Sequence, residues 1–202
     1  MSNQEKLEYY ANTTNSEARP ALILATSLVK HEHGKIAIDC GCGAGSNIEY
    51  LRKEGFVVHA FDIEKEALKI CKERFKDDPL VYLSHNSFST FNYPKASLVV
   101  ADASLFFCPK REFNAVWNNI YASLPSGGIF YGSFLGPNDS MANPDFNKEA
   151  FWPDVLILDE DSLRSYFSKY AIHQFKEHDA AGETATGKPH KWHIYSVVAE
   201  KM

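Results

Sequence analysis

The sequence predicts an α/β fold: a three-layer α/β/α sandwich on a mostly parallel, seven-stranded sheet with a C-terminal antiparallel hairpin strand. Three observations predict it. From residue 35 onward, short apolar runs alternate with segments of helical period, as in a parallel sheet covered on both faces. A loop with glycines at 41, 43 and 45 joins the first of these strands to the helix after it. The chain ends in two strand-like runs around a glycine-containing loop, which makes one final strand antiparallel.

With 202 residues, 45% of them hydrophobic and 13% aromatic, the chain suits one globular domain over 1–202 with a sizeable core. Its parts are a helical arm (1–33) and an α/β core (35–202). The net charge of −5 and the mixing of acids with bases argue against a nucleic-acid partner. The apolar runs are too short to cross a bilayer, and the opening MSNQEKLEYY lacks the apolar core of a signal peptide. No membrane association and a cytoplasmic location are therefore expected. Cysteines 40, 42, 71 and 108 have no zinc-like spacing, so reduced thiols and no metal are expected. Oligomeric state stays open.

The arm reads as two helices, Gln4–Tyr10 and Ala18–His31, with Pro20 suited to a first turn; it should pack on the core or cover its site. Lys35–Ile38 is the first strand and Ser46–Glu54 the helix after the glycine loop. Phe56–Phe61 is a strand ending at Asp62, and Lys65–Phe75 a helix with Ala67, Leu68, Cys71 and Phe75 on one face. Leu80–Leu83 and Ser97–Ala101 are the third and fourth strands. Lys110–Leu124 is a helix whose stripe of Phe113, Val116, Trp117 and Ile120 is core. Ile129–Leu135 is the fifth strand, and a long loop spans 136–153. Asp159–Ser168 is a helix, and Ala171–Lys176 with His193–Ala199 form the terminal hairpin.

A strand, a glycine loop and a helix N-terminus let backbone N–H groups approach a ligand closely. Two cofactor classes compete. A dinucleotide loop reads G-x-G-x-x-G, whereas this one reads G-x-G-x-G, with Ser46 in the third fingerprint position. Asp39 ends the first strand, where a pyrophosphate would meet like charge and an amino-acid ammonium would find a partner. Asp62 ends the second strand and can accept from both hydroxyls of a ribose. An ammonium beside one acid and a ribose beside the next describe S-adenosylmethionine. A nicotinamide-dependent oxidoreductase and a non-catalytic S-adenosylmethionine-binding protein are the alternatives.

The segment IDCGCGAG resembles the first motif of class I S-adenosylmethionine-dependent methyltransferases. The segments ADASLFFCP, SLPSGGIFYGSFLGPNDS and GKPHKWHIYSVVAEK resemble a small-molecule subgroup similar to the tellurite-resistance methyltransferases. The resemblance spans roughly 35–202. It implies that Asp39 and the loop residues Gly41, Cys42, Gly43, Gly45 and Asn47 hold the methionine end of the cofactor. It further implies Asp62 on the ribose and Ile63 on the adenine. Asn86 stands where relatives often place an Asp for the adenine amino group, and Ser87 or Phe88 would donate a backbone N–H to the ring. Ala101 and Asp102 would line the methyl-transfer side, and Arg19 would pair with the methionine carboxylate.

Ligands collect at the C-terminal ends of parallel strands. That rule selects the segments after Ala101 and Leu135 and the hairpin loop, with Asp102, Ser104, Asp139, Glu183, Lys188, His190, Trp192 and His193 as polar candidates. His193 is the expected general base, because a histidine titrates near neutrality, and Asp139 its orienting partner or a substrate clamp. Phe106, Phe107, Phe134 and Trp152 are candidate walls for an apolar acceptor pocket. The expected function is methyl transfer to a small-molecule acceptor.

Overall fold

A computed structural model describes residues 3–146 and 154–202. Seven strands form one sheet: β1 (Ile36–Cys40), β2 (Val57–Asp62), β3 (Val81–His85), β4 (Leu98–Ala101), β5 (Ile129–Leu135), β6 (Tyr170–Glu183) and β7 (Pro189–Lys201). Their order across the sheet is β3-β2-β1-β4-β5-β7-β6. The first five run parallel, and β7 is antiparallel to both neighbours. The layered sandwich expected from the alternation is the fold observed.

Burial explains the order. Every residue of β4 and β5 is buried, as central strands covered on both faces must be. One face carries α2 (Pro20–Leu28), α3 (Ser46–Lys53) and α4 (Lys65–Arg74), whose Leu22, Ile48, Leu51 and Leu68 pack on Val58, Val100 and Ile129. The other carries α5 (Lys110–Ser123) and α6 (Glu160–Tyr166). There the Trp117 ring meets Phe130 and Phe167 edge-on, with centroids 5.0 and 5.1 Å away. Phe134 belongs to this packed core and not to a pocket, correcting its assignment as a wall. Trp152 lies outside the described residues. The arm's first helix, α1 (Asn3–Thr13), rests Tyr10 on Ala44 and Ala67 beside the glycine loop.

The hairpin differs most from expectation. The loop expected between residues 176 and 193 is instead strand, paired from Tyr170↔Lys201 to Glu183↔Pro189. Most of its outer strand is exposed, so no apolar alternation marks it in the sequence. Backbone pairing, not core burial, makes it a strand.

Candidate active site

The glycine loop is built from contacts with the end of β2. Gly41 and Cys42 donate their N–H groups to Phe61 O (2.9 and 3.0 Å), and Gly43 donates to Asp62 Oδ2 (2.8 Å). Gly45 N–H closes on Cys42 O at 3.0 Å. These amides are therefore engaged within the protein and do not form an anion cradle. A pyrophosphate would lack donors here, which goes against the nicotinamide alternative. Gly41 (φ 71°) must be glycine for a second reason: a Cβ there would stand 2.7 Å from Ser104 Cβ. Gly45 touches no ligand space; its missing side chain lets Phe75 and Cys71 of the α4 region pack against it.

Asp39 stands behind this loop, 1% exposed and away from the cavity wall. Asn47 hydrogen-bonds its side chain, while Oδ2 has no partner among the described residues. Burial, reinforced by the Asp102 charge, pushes its carboxyl up to about 7. Cys42 is a small buried filler whose thiol is held protonated by a hydrogen bond with Cys71 and by burial. Asp39, Cys42, Gly45 and Asn47 thus form the support of the loop, whereas Gly41 and Gly43 form its ligand-facing surface.

That surface opens on a cavity of about 1290 Å³ across the C-terminal ends of the strands. Such a volume exceeds what one drug-sized ligand fills. Asp62 lies at its wall, each carboxylate oxygen already accepting one backbone N–H: Gly43 on Oδ2 and Glu64 on Oδ1, both at 2.8 Å. Ile63 N–H adds a further backbone bond to this carboxylate, and burial nevertheless raises the carboxyl above its usual range. Ile63, Asn86, Ser87 and Phe88 share this wall. Asn86 Nδ2 donates to Thr90, which turns its amide donor away from any ligand. Ser87 N–H is taken by Thr90 Oγ1 at 2.9 Å, so it does not serve as the expected ring donor and leaves that place to Phe88.

Ala101 is a correction. Its side chain is fully buried in the α5-side core, and the cavity wall begins two residues later, at Ala103 and Ser104. Ala103 adopts φ 50°, a costly conformation for a non-glycine residue, and Ser104 Oγ donates to Cys40 O at 2.5 Å. This turn fastens β4 to the end of β1. Arg19 does reach the cavity, with Nε 3.1 Å from Asp102 Oδ2, while Ser133 Oγ donates to Asp102 Oδ1 at 2.9 Å. Beside them lies the buried Tyr131 hydroxyl, facing Asp102 and Ser133.

The arm covers the mouth, as expected. Lys6 pairs with Glu64 (2.8 Å), Glu5 with Lys188 (2.7 Å), and Asn12 Nδ2 donates to Ala185 O (2.7 Å). The last two contacts tie α1 to the tip of the hairpin.

The expected base is the main correction. His193 is 2% exposed and does not line the cavity. Its Nδ1 accepts from Asn138 N–H (3.0 Å) and its Nε2 donates to Glu177 Oε1 (2.8 Å), so neither nitrogen can take a substrate proton. Its ring also fills the space a side chain at Gly136 would need. Asp139 likewise stays off the cavity wall, but it accepts from His193 N–H (Oδ2, 3.0 Å), Met141 N–H (Oδ1, 3.0 Å) and His190 Nε2 (Oδ1, 3.0 Å). His190, unlike His193, lies at the cavity wall. With a carboxylate on Nε2, that nitrogen carries the proton and Nδ1 keeps a lone pair. Strand parity was the signal available: residues 190, 192, 194 and 196 of β7 share the cavity face, and 193 points the other way.

The residues present fit the cofactor expected from the sequence: an orphaned carboxylate oxygen behind a donor-poor loop suits an ammonium, and Asp62 at the wall suits a ribose. The fold and this loop are arranged as the resemblance to class I S-adenosylmethionine-dependent methyltransferases implies. Residues 37–128 match the family model described as a methyltransferase domain. No curated protein sequence matches the chain significantly. Among solved structures, TehB from Haemophilus influenzae is similar at TM-score 0.75 and 16% identity, over 98% of this chain and 67% of that one. NodS, an N-methyltransferase from Bradyrhizobium japonicum in complex with S-adenosyl-L-homocysteine, aligns at 0.66 and 13%, over 98% and 97%. The 1,6-didemethyltoxoflavin-N1-methyltransferase of Burkholderia thailandensis aligns at 0.63 and 14%, over 98% and 88%. These likenesses establish the fold. Residues 37–128 therefore read as a methyltransferase domain, set in a fold shared with these methyltransferases.

Proposed function

We propose that the protein methylates a small molecule bound between the glycine-loop end of the cavity and the inner face of the β6–β7 hairpin. The observation that carries this reading is His190, held by Asp139 from behind, at the wall of a cavity with room for two ligands. When bound, S-adenosylmethionine supplies a methyl group activated on a sulfonium.

The chain's own residues do the rest. Asp62 would accept from the ribose hydroxyls, Ile63 would pack on the adenine, and Phe88 N–H is placed for the ring. Gly41 and Gly43 would let the methionine end lie close to the loop, with the Asp39 charge behind it favouring the ammonium. Arg19 would turn from Asp102 toward the methionine carboxylate. His190 Nδ1 would take the proton of the accepting group, and Asp139 would orient the ring and stabilise its cation. The arm across the mouth would limit water, and alignment of acceptor and methyl would supply most of the remaining acceleration.

We read residues 1–202 as one domain. No described helix is long and apolar enough to cross a membrane. Four free, buried cysteines support a reducing, cytoplasmic setting, and the net charge of −5 supports an acceptor other than nucleic acid. Calorimetry with S-adenosylhomocysteine, followed by transfer of labelled methyl into fractionated metabolites, tests the proposal. Cofactor binding with label in a small molecule, lost in His190→Ala, is expected. Label found only in macromolecules would refute it.

A further inference from the structure

We infer that the acceptor is an elongated aromatic acid whose anionic end is held by Lys176 and His178. This rests on the methyltransferase reading of the cavity and names the acceptor class for it. Lys176 and His178 lie two residues apart on β6, so both side chains reach the same, cavity-lining face about 7 Å from each other. Neither has a hydrogen bond or ion pair among the described residues, whereas the other cavity cations Lys6, Arg19 and Lys188 are each paired with an acid.

The register shows why these two are uncommitted. Lys176 is opposite Ser196, which is opposite Ser133 on β5. The nearest acid along that row is Asp102, beyond Ser133, roughly three strand spacings or about 14 Å away, and Arg19 already pairs with it. Glu177 points to the opposite face, where it holds His193. Glu183 lies five residues beyond His178, about 17 Å along the strand. Both side chains are exposed at the cavity's edge, where the Lys176 ammonium and a His178 ring N–H are donors without an acid among the described residues, and an organic anion is their complement.

The body of the ligand follows from the next row. His178 is opposite Ile194, and Ile194 packs into one apolar cluster with Phe106, Phe107, Met141 and Phe146. From Ile194 to His190 is four residues of β7, about 14 Å of backbone, shortened by the reach of the side chains. A ligand touching both ends is thus longer than one ring. Aromatic walls, an ammonium with a ring N–H beside it at one end and a base at the other select a flat, two-ring acid carrying its methyl-accepting O–H or N–H remote from the acid group.

The test uses 6-hydroxy-2-naphthoate and its neutral counterpart 2-naphthol, titrated by their own fluorescence against the full chain with S-adenosylhomocysteine. The acid is expected to bind at least tenfold tighter than the naphthol. Lys176→Met should remove that advantage while changing naphthol and S-adenosylhomocysteine affinity less than twofold. Equal affinity for acid and naphthol, or an acid affinity untouched by Lys176→Met and by His178→Leu, overturns the inference. Displacement of the naphthoate by an equal concentration of sulfate overturns its aromatic part. Calorimetry with S-adenosylhomocysteine alone separates the two levels: no binding there counts against the methyltransferase reading, whatever the naphthoate does.

Discussion

The two ends of the cavity are built on different principles. At the proposed cofactor end, residues 39 to 47 and 62 to 63 form two short segments brought together by adjacent parallel strands. Their roles come from backbone: loop amides pinned to Phe61 and Asp62, and glycines that allow close approach. At the acceptor end, β4, the loop after β5 and both hairpin strands converge, and side-chain direction decides everything. His190 and His193 are three residues apart, touch the same aspartate, and have opposite fates. A binding loop tolerates slight misplacement of its strands, whereas a one-residue slip in the hairpin would exchange base and prop.

The largest test of that contrast is at the two histidines. His190→Ala is expected to lower kcat by about 10²–10⁴, the range for a lost general base, with S-adenosylhomocysteine affinity unchanged. His193→Ala is expected instead to cost about 2 kcal/mol of stability, read by chemical denaturation, because Asn138 N–H and Glu177 lose their partner and a cavity opens beneath Gly136. If activity follows His193 at constant stability, the assignment is reversed.

Next in size is Asp62→Ala at the cofactor end. Loss of a ribose acceptor together with the Gly43 and Glu64 anchors should weaken S-adenosylhomocysteine by about a hundredfold in calorimetry. A change below tenfold would break the claim that this segment holds the cofactor.

Asp39 gives a smaller, pH-dependent effect. Its carboxyl is raised from 3.8 to about 7 in the folded, empty protein, so the folded state binds a proton there that the unfolded chain releases. That stability is fully present below 3.8 and is lost as pH rises through about 7, by ~4 kcal/mol in all. Asp39→Asn should flatten this slope in denaturant titrations. An ammonium favours the charged form, so S-adenosylhomocysteine affinity should rise about tenfold from pH 6 to 8 in the wild type and stay level in the variant. The smallest effect belongs to the latch: Lys188→Ala removes an exposed ion pair with Glu5 and should change stability by less than about 1 kcal/mol.

The sequence by itself determined the fold class and the loop, and it named the cofactor proposed for that loop. Those follow from local patterns: apolar runs of strand length, helical stripes such as Phe113 to Ile120, and an acid followed by glycines at fixed spacing. Only the tertiary structure decided the acceptor end. The polar stretch from Glu177 to Trp192 carries no apolar period, so its strands come from pairing with each other. Which of its residues face the cavity depends on a register set far away, where Leu135 meets Ile194. Composition could name His190, Lys176 and His178 as residues present; only the pleat could say that they share one face.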